Sequence, residues 1–308
     1  MHLIESQFWR LWSDPSCGVQ WLAAQVRNDD QWHAVVPDCR DTKRHDSTSN
    51  NNPAVSSELS AASFHMIPYS NRIRNGKFNF NERQYQLANA SNHAIHGALR
   101  KLPWRVTHAS ASSLTCDIAS KDHPDINWPW QIGARISQHV EGNKLSSILE
   151  LENQSQEPMP AGLGWHPYFN RKINGSSAIL TLPVTDVFPD TDGDCLPIGP
   201  AQKLPQALDF RKPRILDPLQ RIDCCLSGLS GNSIIHWQDA GIKLSLEASD
   251  KCRFLVFYNP DAPYFAVEPV TNANDAFNLH EQGVDSGTHV LAAGESFKVQ
   301  LDIVVTFE

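Results

Sequence analysis

The chain has 308 residues, 41% of them hydrophobic and 19% charged, with a formal net charge of −8. An acidic chain lacks the basic face that a phosphate backbone requires, so nucleic acid is not an expected partner, and a polybasic membrane contact is disfavoured for the same reason. No apolar run approaches the ~20 residues of a membrane-spanning helix, and the opening MHLIESQFWRLWSD has no basic stretch leading into an apolar one, so neither an anchor nor a secretory leader is expected. Seven cysteines without a CxxC pair fit reduced thiols in a cytoplasmic protein better than a disulfide framework or a zinc site.

The first segment that stands apart is 40–63, RDTKRHDSTSNNNPAVSSELSAAS. It is too polar to bury much apolar area and is expected to be a mobile loop. The segment before it is too short to fold alone, so the loop is read as an insertion within one domain spanning 1–308. Beyond it the chain reads as strands: WRVTHA, SLTCDIA, QIGARISQHV, KLSSILELEN, SAILTL, SIIHW, GIKLSLEA, RFLVFY and SFKVQLDIVVTF, in that order. In the last of these Phe297, Val299, Leu301 and Ile303 alternate with Lys298, Gln300, Asp302 and Val304, the period of two of a half-buried strand. Turn signals such as EGN, ING, DTDGD and NPDAP lie between them. No long stretch carries a helical period, and 20 prolines would interrupt one. The expected fold class is therefore all-β, a large antiparallel sandwich or barrel.

Several stretches break the alternation and carry polar groups. They are PYSNRIRNGKF (68–78), NHAIHGALRKLPW (92–104), GLGWHPYFN (162–170) and YFAVEPVTNANDAFN (264–278), with RIDCCLSGLSG (221–231) as a weaker fifth. Taken singly, Glu268 reads as well as a strand-end carboxylate, Arg72 as a surface charge on a packed stem, and His96 as a turn histidine. His93 and His96 stand three apart, a spacing that could serve a metal but is common on turns, and no metal site is expected.

In this order and spacing the stretches resemble the aldose 1-epimerase (galactose mutarotase) family, from about residue 63 to the C-terminus. The resemblance rests on NRI…G.F, N..H…HG, G.G.HPYF and VEP.T…DAFN together. It implies a large antiparallel β-sandwich of the galactose mutarotase-like supersandwich kind, no cofactor, and a small-molecule sugar as the partner of a monomer or weak homodimer. It also implies site residues: Asn71, Arg72 and His96 as sugar ligands, His166 and Glu268 as the catalytic pair, and Asp223 as a sugar-binding carboxylate.

The chemistry agrees with such a set. An aldose exchanges its α and β anomers by opening and reclosing its ring. One proton leaves the C1 hydroxyl and another reaches the ring oxygen, so one base and one acid suffice. Glu268 is expected as the base and His166 as the acid, because imidazole exchanges protons near neutral pH. Trp165, Tyr168 and Phe169 are candidate pocket walls, facing the sugar's C–H surfaces. Three other readings stay open: a metal-dependent isomerase on a jelly-roll fold, a carbohydrate-binding protein without catalysis, and a hexose-6-phosphate 1-epimerase. The last needs a cationic pocket, for which Arg72, Arg74, Lys77, Arg100 and Lys101 lie near the motifs.

Overall fold

The structure is a computed structural model and describes residues 1–41, 59–88, 93–191 and 193–308. Two antiparallel sheets dominate it. The first runs in the order His2–Glu5, Trp9–Asp14, Gln20–Asn28, Ser63–Met66, Gly164–Asn170, Tyr264–Val270, Phe254–Asn259, Ile222–Ser227, Asp186–Val187 and Gln202–Lys203, with Gln31–Ala34 added beside Gln20–Asn28. The second runs Arg105–Ala109, Ser113–Ala119, Ile132–Glu141, Lys144–Asn153, Ser296–Phe307, Ile242–Ala248, Ser233–Trp237, Ile179–Thr181 and Arg214–Ile215. The expected antiparallel sandwich is what the chain forms, and every one of the nine strands expected from alternation is present.

The sheets pack face to face because each contributes one apolar face. Leu145, Leu149, Val299, Leu301 and Ile303 of the second sheet share a buried cluster with Trp165, Phe169, Leu255, Phe257, Phe265 and Val267 of the first. The indole N–H of Trp165 donates to Ser147 Oγ at 2.9 Å, tying the two sheets by a satisfied polar contact in the core. The opposite face of the first sheet carries a second, smaller apolar cluster with Phe64, Met66, Cys225, Phe254, Val256 and Val270. That second face carries the candidate site.

Three features add to the expectations. Strands form before residue 40, where the sequence named no candidate, since Trp9–Asp14 and Gln20–Asn28 are buried on both faces and show no alternation. Of the loop expected over 40–63, residues 42–58 lie outside the described residues; at its end Ala61, Ala62 and Ser63 are buried, and Ser63 opens a strand. A short helix, Ala276–Glu281, follows the VEP stretch and is too brief to leave a helical period in the sequence. Among the described residues no helix is long and apolar enough to cross a membrane.

Candidate active site

The polar stretches meet because they are stitched together by backbone contacts. Arg72–Arg74 pairs antiparallel with His93–Ile95, so the NRI and HG stretches form one two-stranded ladder. The N–H of His96 donates to Asn71 O at 2.7 Å, and both residues hold left-handed backbones, at φ 63° and 47°. Gly97 follows at φ 75°, and a Cβ there would lie 2.2 Å from Ile67 O, so only glycine fits the turn. The GLG stretch is pinned to the segment after Glu268: Thr271 N donates to Leu163 O, and Leu163 N to Thr271 Oγ1. Ser70 Oγ donates to Asn272 O, and Asp275 N donates to Arg72 O. The motif residues around the candidate pair thus act as staples between loops and sheet.

His166 and Glu268 sit on neighbouring strands, Gly164–Asn170 and Tyr264–Val270. Pairing between the two is recorded at Gly164 and from Tyr168 to Asn170 and lapses between them. Pro167 and Pro269 fall in that gap, and neither can donate a ladder hydrogen bond. Proline therefore lies within a central strand here. Across the gap His166 Nε2 lies 3.2 Å from Glu268 Oε1, with both side chains almost wholly buried. Phe64 stands opposite His166 on the other flanking strand, with ring centroids 4.5 Å apart.

Two strands further along the same face comes Asp223, placed there by the register Asp223↔Tyr258 and Tyr258↔Ala266. Its Oδ2 lies 3.6 Å from Arg72 Nη2, and Arg72 Nη1 donates to Asn71 Oδ1 at 3.2 Å. The His96 ring meets the His166 ring edge-on, with centroids 5.1 Å apart. All six candidate residues, Asn71, Arg72, His96, His166, Asp223 and Glu268, therefore surround one patch of one sheet face. His93 turns elsewhere: its Nδ1 accepts the Asn75 N–H at 3.0 Å and its Nε2 lies 3.7 Å from Asp194. Among the described residues no three His, Cys, Asp or Glu side chains converge as metal ligands.

The aromatic walls differ from expectation. Trp165 and Phe169 alternate with His166 and Tyr168, so they point into the sandwich core. Tyr168 does line the site, 4.6 Å from His166 by ring centroids and 5.1 Å from Tyr264. Phe64 and Tyr258 complete the wall. Period-two counting from His166 would have separated Trp165 from Tyr168; Phe64 and Tyr258 depend on cross-strand register, which the sequence does not display.

Burial sets the proton affinities. It pushes the Glu268 carboxyl well above the usual carboxylate range, Asp223 adds to the rise, and Arg72 opposes it. Burial likewise depresses the His166 imidazole, helped by the charges of Arg100 and Arg72. His96 is held down by burial first and then by His166, Arg100 and Arg72. Among the described residues Glu268 Oε2, His166 Nδ1 and His96 Nδ1 are buried without a hydrogen-bond partner. Each such atom costs about 1–3 kcal/mol, which a hydroxyl-rich ligand placed there would offset. The arrangement can therefore bind a polyol and move a proton between two adjacent groups.

Comparison with known proteins bears on the fold and the family. The chain is similar to the uncharacterized protein YphB of Escherichia coli (strain K12), 27% identical over 264 residues, covering 80% of this chain and 84% of that protein. Its fold is similar to that of a galactose mutarotase-like protein from Clostridium acetobutylicum, with a TM-score of 0.83 at 18% identity over 99% of this chain and 95% of the other. It is likewise similar to the GalM/aldose epimerase homologue from C. elegans, with a TM-score of 0.78 at 17% identity and 99% coverage of both chains. The family model described as aldose 1-epimerase matches residues 39–303, which hold every residue of the site. With that match over most of its length, the chain belongs to the aldose 1-epimerase family.

Proposed function

We propose that the protein is an aldose 1-epimerase, an isomerase that interconverts the α and β anomers of a free aldose by acid–base opening and closure of the ring. The observation that carries this reading is the 3.2 Å contact between His166 Nε2 and Glu268 Oε1. The C1 hydroxyl and the ring oxygen are bonded to the same carbon, so a base and an acid standing side by side on adjacent strands can reach both. Glu268 takes the proton from the C1 hydroxyl while His166 delivers one to the ring oxygen, and the C1–O5 bond breaks to leave the open-chain aldehyde. Rotation about C1–C2 presents the other carbonyl face. The C5 hydroxyl then attacks C1, returning its proton to His166 as Glu268 gives its proton to the new C1 hydroxyl.

Burial supports these roles. Burial raises the carboxyl and depresses the imidazole, so an ionised Glu268 is a stronger base, and a protonated His166 a stronger acid, than the free groups. His96 and Arg72 hydrogen-bond sugar oxygens and support charge at the ring oxygen, with Asn71 orienting the guanidinium. Asp223 accepts bonds from ring hydroxyls and fixes register. Two proton transfers open the ring and two close it, so the scheme calls for no cofactor.

Polarimetry of freshly dissolved α-glucose or α-galactose tests it. Glu268→Gln and His166→Asn should each slow enzymic mutarotation by ~10²–10⁴-fold. Wild-type rates in both variants would remove the mechanism, and binding of sugar without acceleration by the wild type would make the protein a carbohydrate-binding module.

A further inference from the structure

Five cations stand near the motifs, and the structure separates them. Arg74 is committed to Asp275 and to Pro197 O. Lys77 and Lys101 are exposed. Arg72 is paired with Asp223 inside the site. Arg100 differs from all four. Its guanidinium carbon lies 5.1 Å from the centroid of the Phe64 ring, and among the described residues it has neither a hydrogen bond nor a carboxylate within ion-pair distance. A guanidinium drawn out of water without an acid is costly, and stacking on one ring offsets only part of that cost.

The position of Arg100 follows from the register of the sheet. Glu268, His166 and Phe64 stand side by side on three neighbouring strands, and Arg100 covers the last of them. Asp223 and Arg72 lie on the opposite side of Glu268. With Glu268 at the C1 hydroxyl and His166 at the ring oxygen, the next ring atom in the same direction is C5, which carries C6. Arg100 is therefore the group that a C6 substituent meets.

We propose that Arg100 recognises an anionic group, a carboxylate or a phosphate, on C6 of the aldose, so that the substrate class is a hexuronate or a hexose 6-phosphate. This assignment rests on the epimerase roles given above for Glu268 and His166. A planar guanidinium suits either anion, because it presents paired donors to two oxygens at once. The anion would also offset the positive field at His166, to which Arg100 contributes, and so favour the protonated imidazole that ring opening uses.

Mutarotation of glucose, glucuronate and glucose 6-phosphate by the full chain, with the galacto-configured series in parallel, tests the assignment. The wild type should show kcat/KM at least ~10-fold higher for one anionic sugar than for its neutral parent, and Arg100→Met should lower that ratio by ~10–100-fold. Arg100→Lys should give an intermediate ratio, since it keeps the charge and loses the fork. The preferred anion tells carboxylate from phosphate. If the neutral parents serve as well as both anions, or if R100M leaves the ratio unchanged with R100K folded and active, the Arg100 assignment falls and the epimerase reading stands. If none of the sugars is accelerated, both fall.

Discussion

The two faces of the strand Gly164–Asn170 solve opposite problems. On the core face Trp165 and Phe169 are fully buried, and the one polar atom that Trp165 brings is satisfied by Ser147 across the sandwich. On the other face His166 is nearly as buried, yet among the described residues its Nδ1 has no partner, and neither has Oε2 of Glu268 beside it. One face is closed in its hydrogen bonding and the other is left open. Folding alone favours the first arrangement, because each buried unpartnered atom costs stability. In the proposed function the sugar completes the hydrogen bonding of the open face.

The largest effects should separate the faces within one residue of each other. His166→Asn should remove ~10²–10⁴-fold of activity while changing stability little. Trp165→Ala should destabilise the fold by ~3–5 kcal/mol in urea melts, through lost packing and a stranded Ser147 hydroxyl. The protein that remains folded should keep a near-normal rate. A Trp165→Ala protein of normal stability and low rate would break the comparison.

The same two faces explain what the sequence made legible. Most strands of the second sheet alternate, because one side packs and the other meets water, and all but the two-residue Arg214–Ile215 could be placed from the sequence. The N-terminal strands could not, since Trp12, Ser13 and Asp14 are buried in succession. The site was legible as a set of stretches and not as a surface. Asn71, Arg72, His96, His166 and Glu268 sit where left-handed residues, prolines and a glycine interrupt the pattern. Asp223 lies in an ordinary strand and reaches the site only through two cross-strand registers. Phe64 and Tyr258 left no local signal for the same reason, because sheet order is a property of the whole chain, whereas Arg100 was one of five cations near the motifs and only the fold separates it from the rest.

A smaller effect concerns how the loops hold His96 over the open face. Gly97→Ala puts a Cβ against Ile67 O in a left-handed backbone, so the turn must move. The strained backbone alone costs ~1–2 kcal/mol, and the clash adds to it. Gly142→Ala is the matched control, because φ there is also positive, at 53°, and nothing lies within 4 Å. G97A should lose more thermal stability than G142A and should lose activity as well, through displacement of His96. Equal losses of stability and unchanged activity would detach His96 from the Gly97 turn.

The smallest effect is a gain. Removing one partner of a buried ion pair usually destabilises, because the other charge is stranded. Here the remaining partner need not stay charged, since burial already depresses the His166 imidazole. Glu268→Gln should therefore raise stability at pH 7, by ~1–3 kcal/mol, as one buried ionisable group becomes a neutral amide. The sign follows from linkage. Burial raises the folded carboxyl above its unfolded value, so between the two the native state holds a proton that the unfolded chain releases. Wild-type stability from this group is full below the ordinary carboxylate range and is lost as pH rises through the raised folded value. Glutamine does not titrate, so the advantage of E268Q should shrink toward zero near pH ~4 and widen toward neutrality. Urea melts of both proteins across that range measure it. A variant less stable than the wild type at pH 7 would mean that His166 and Glu268 rest as a net-favourable ion pair, and the open face would then be less costly to folding than its unpartnered atoms imply.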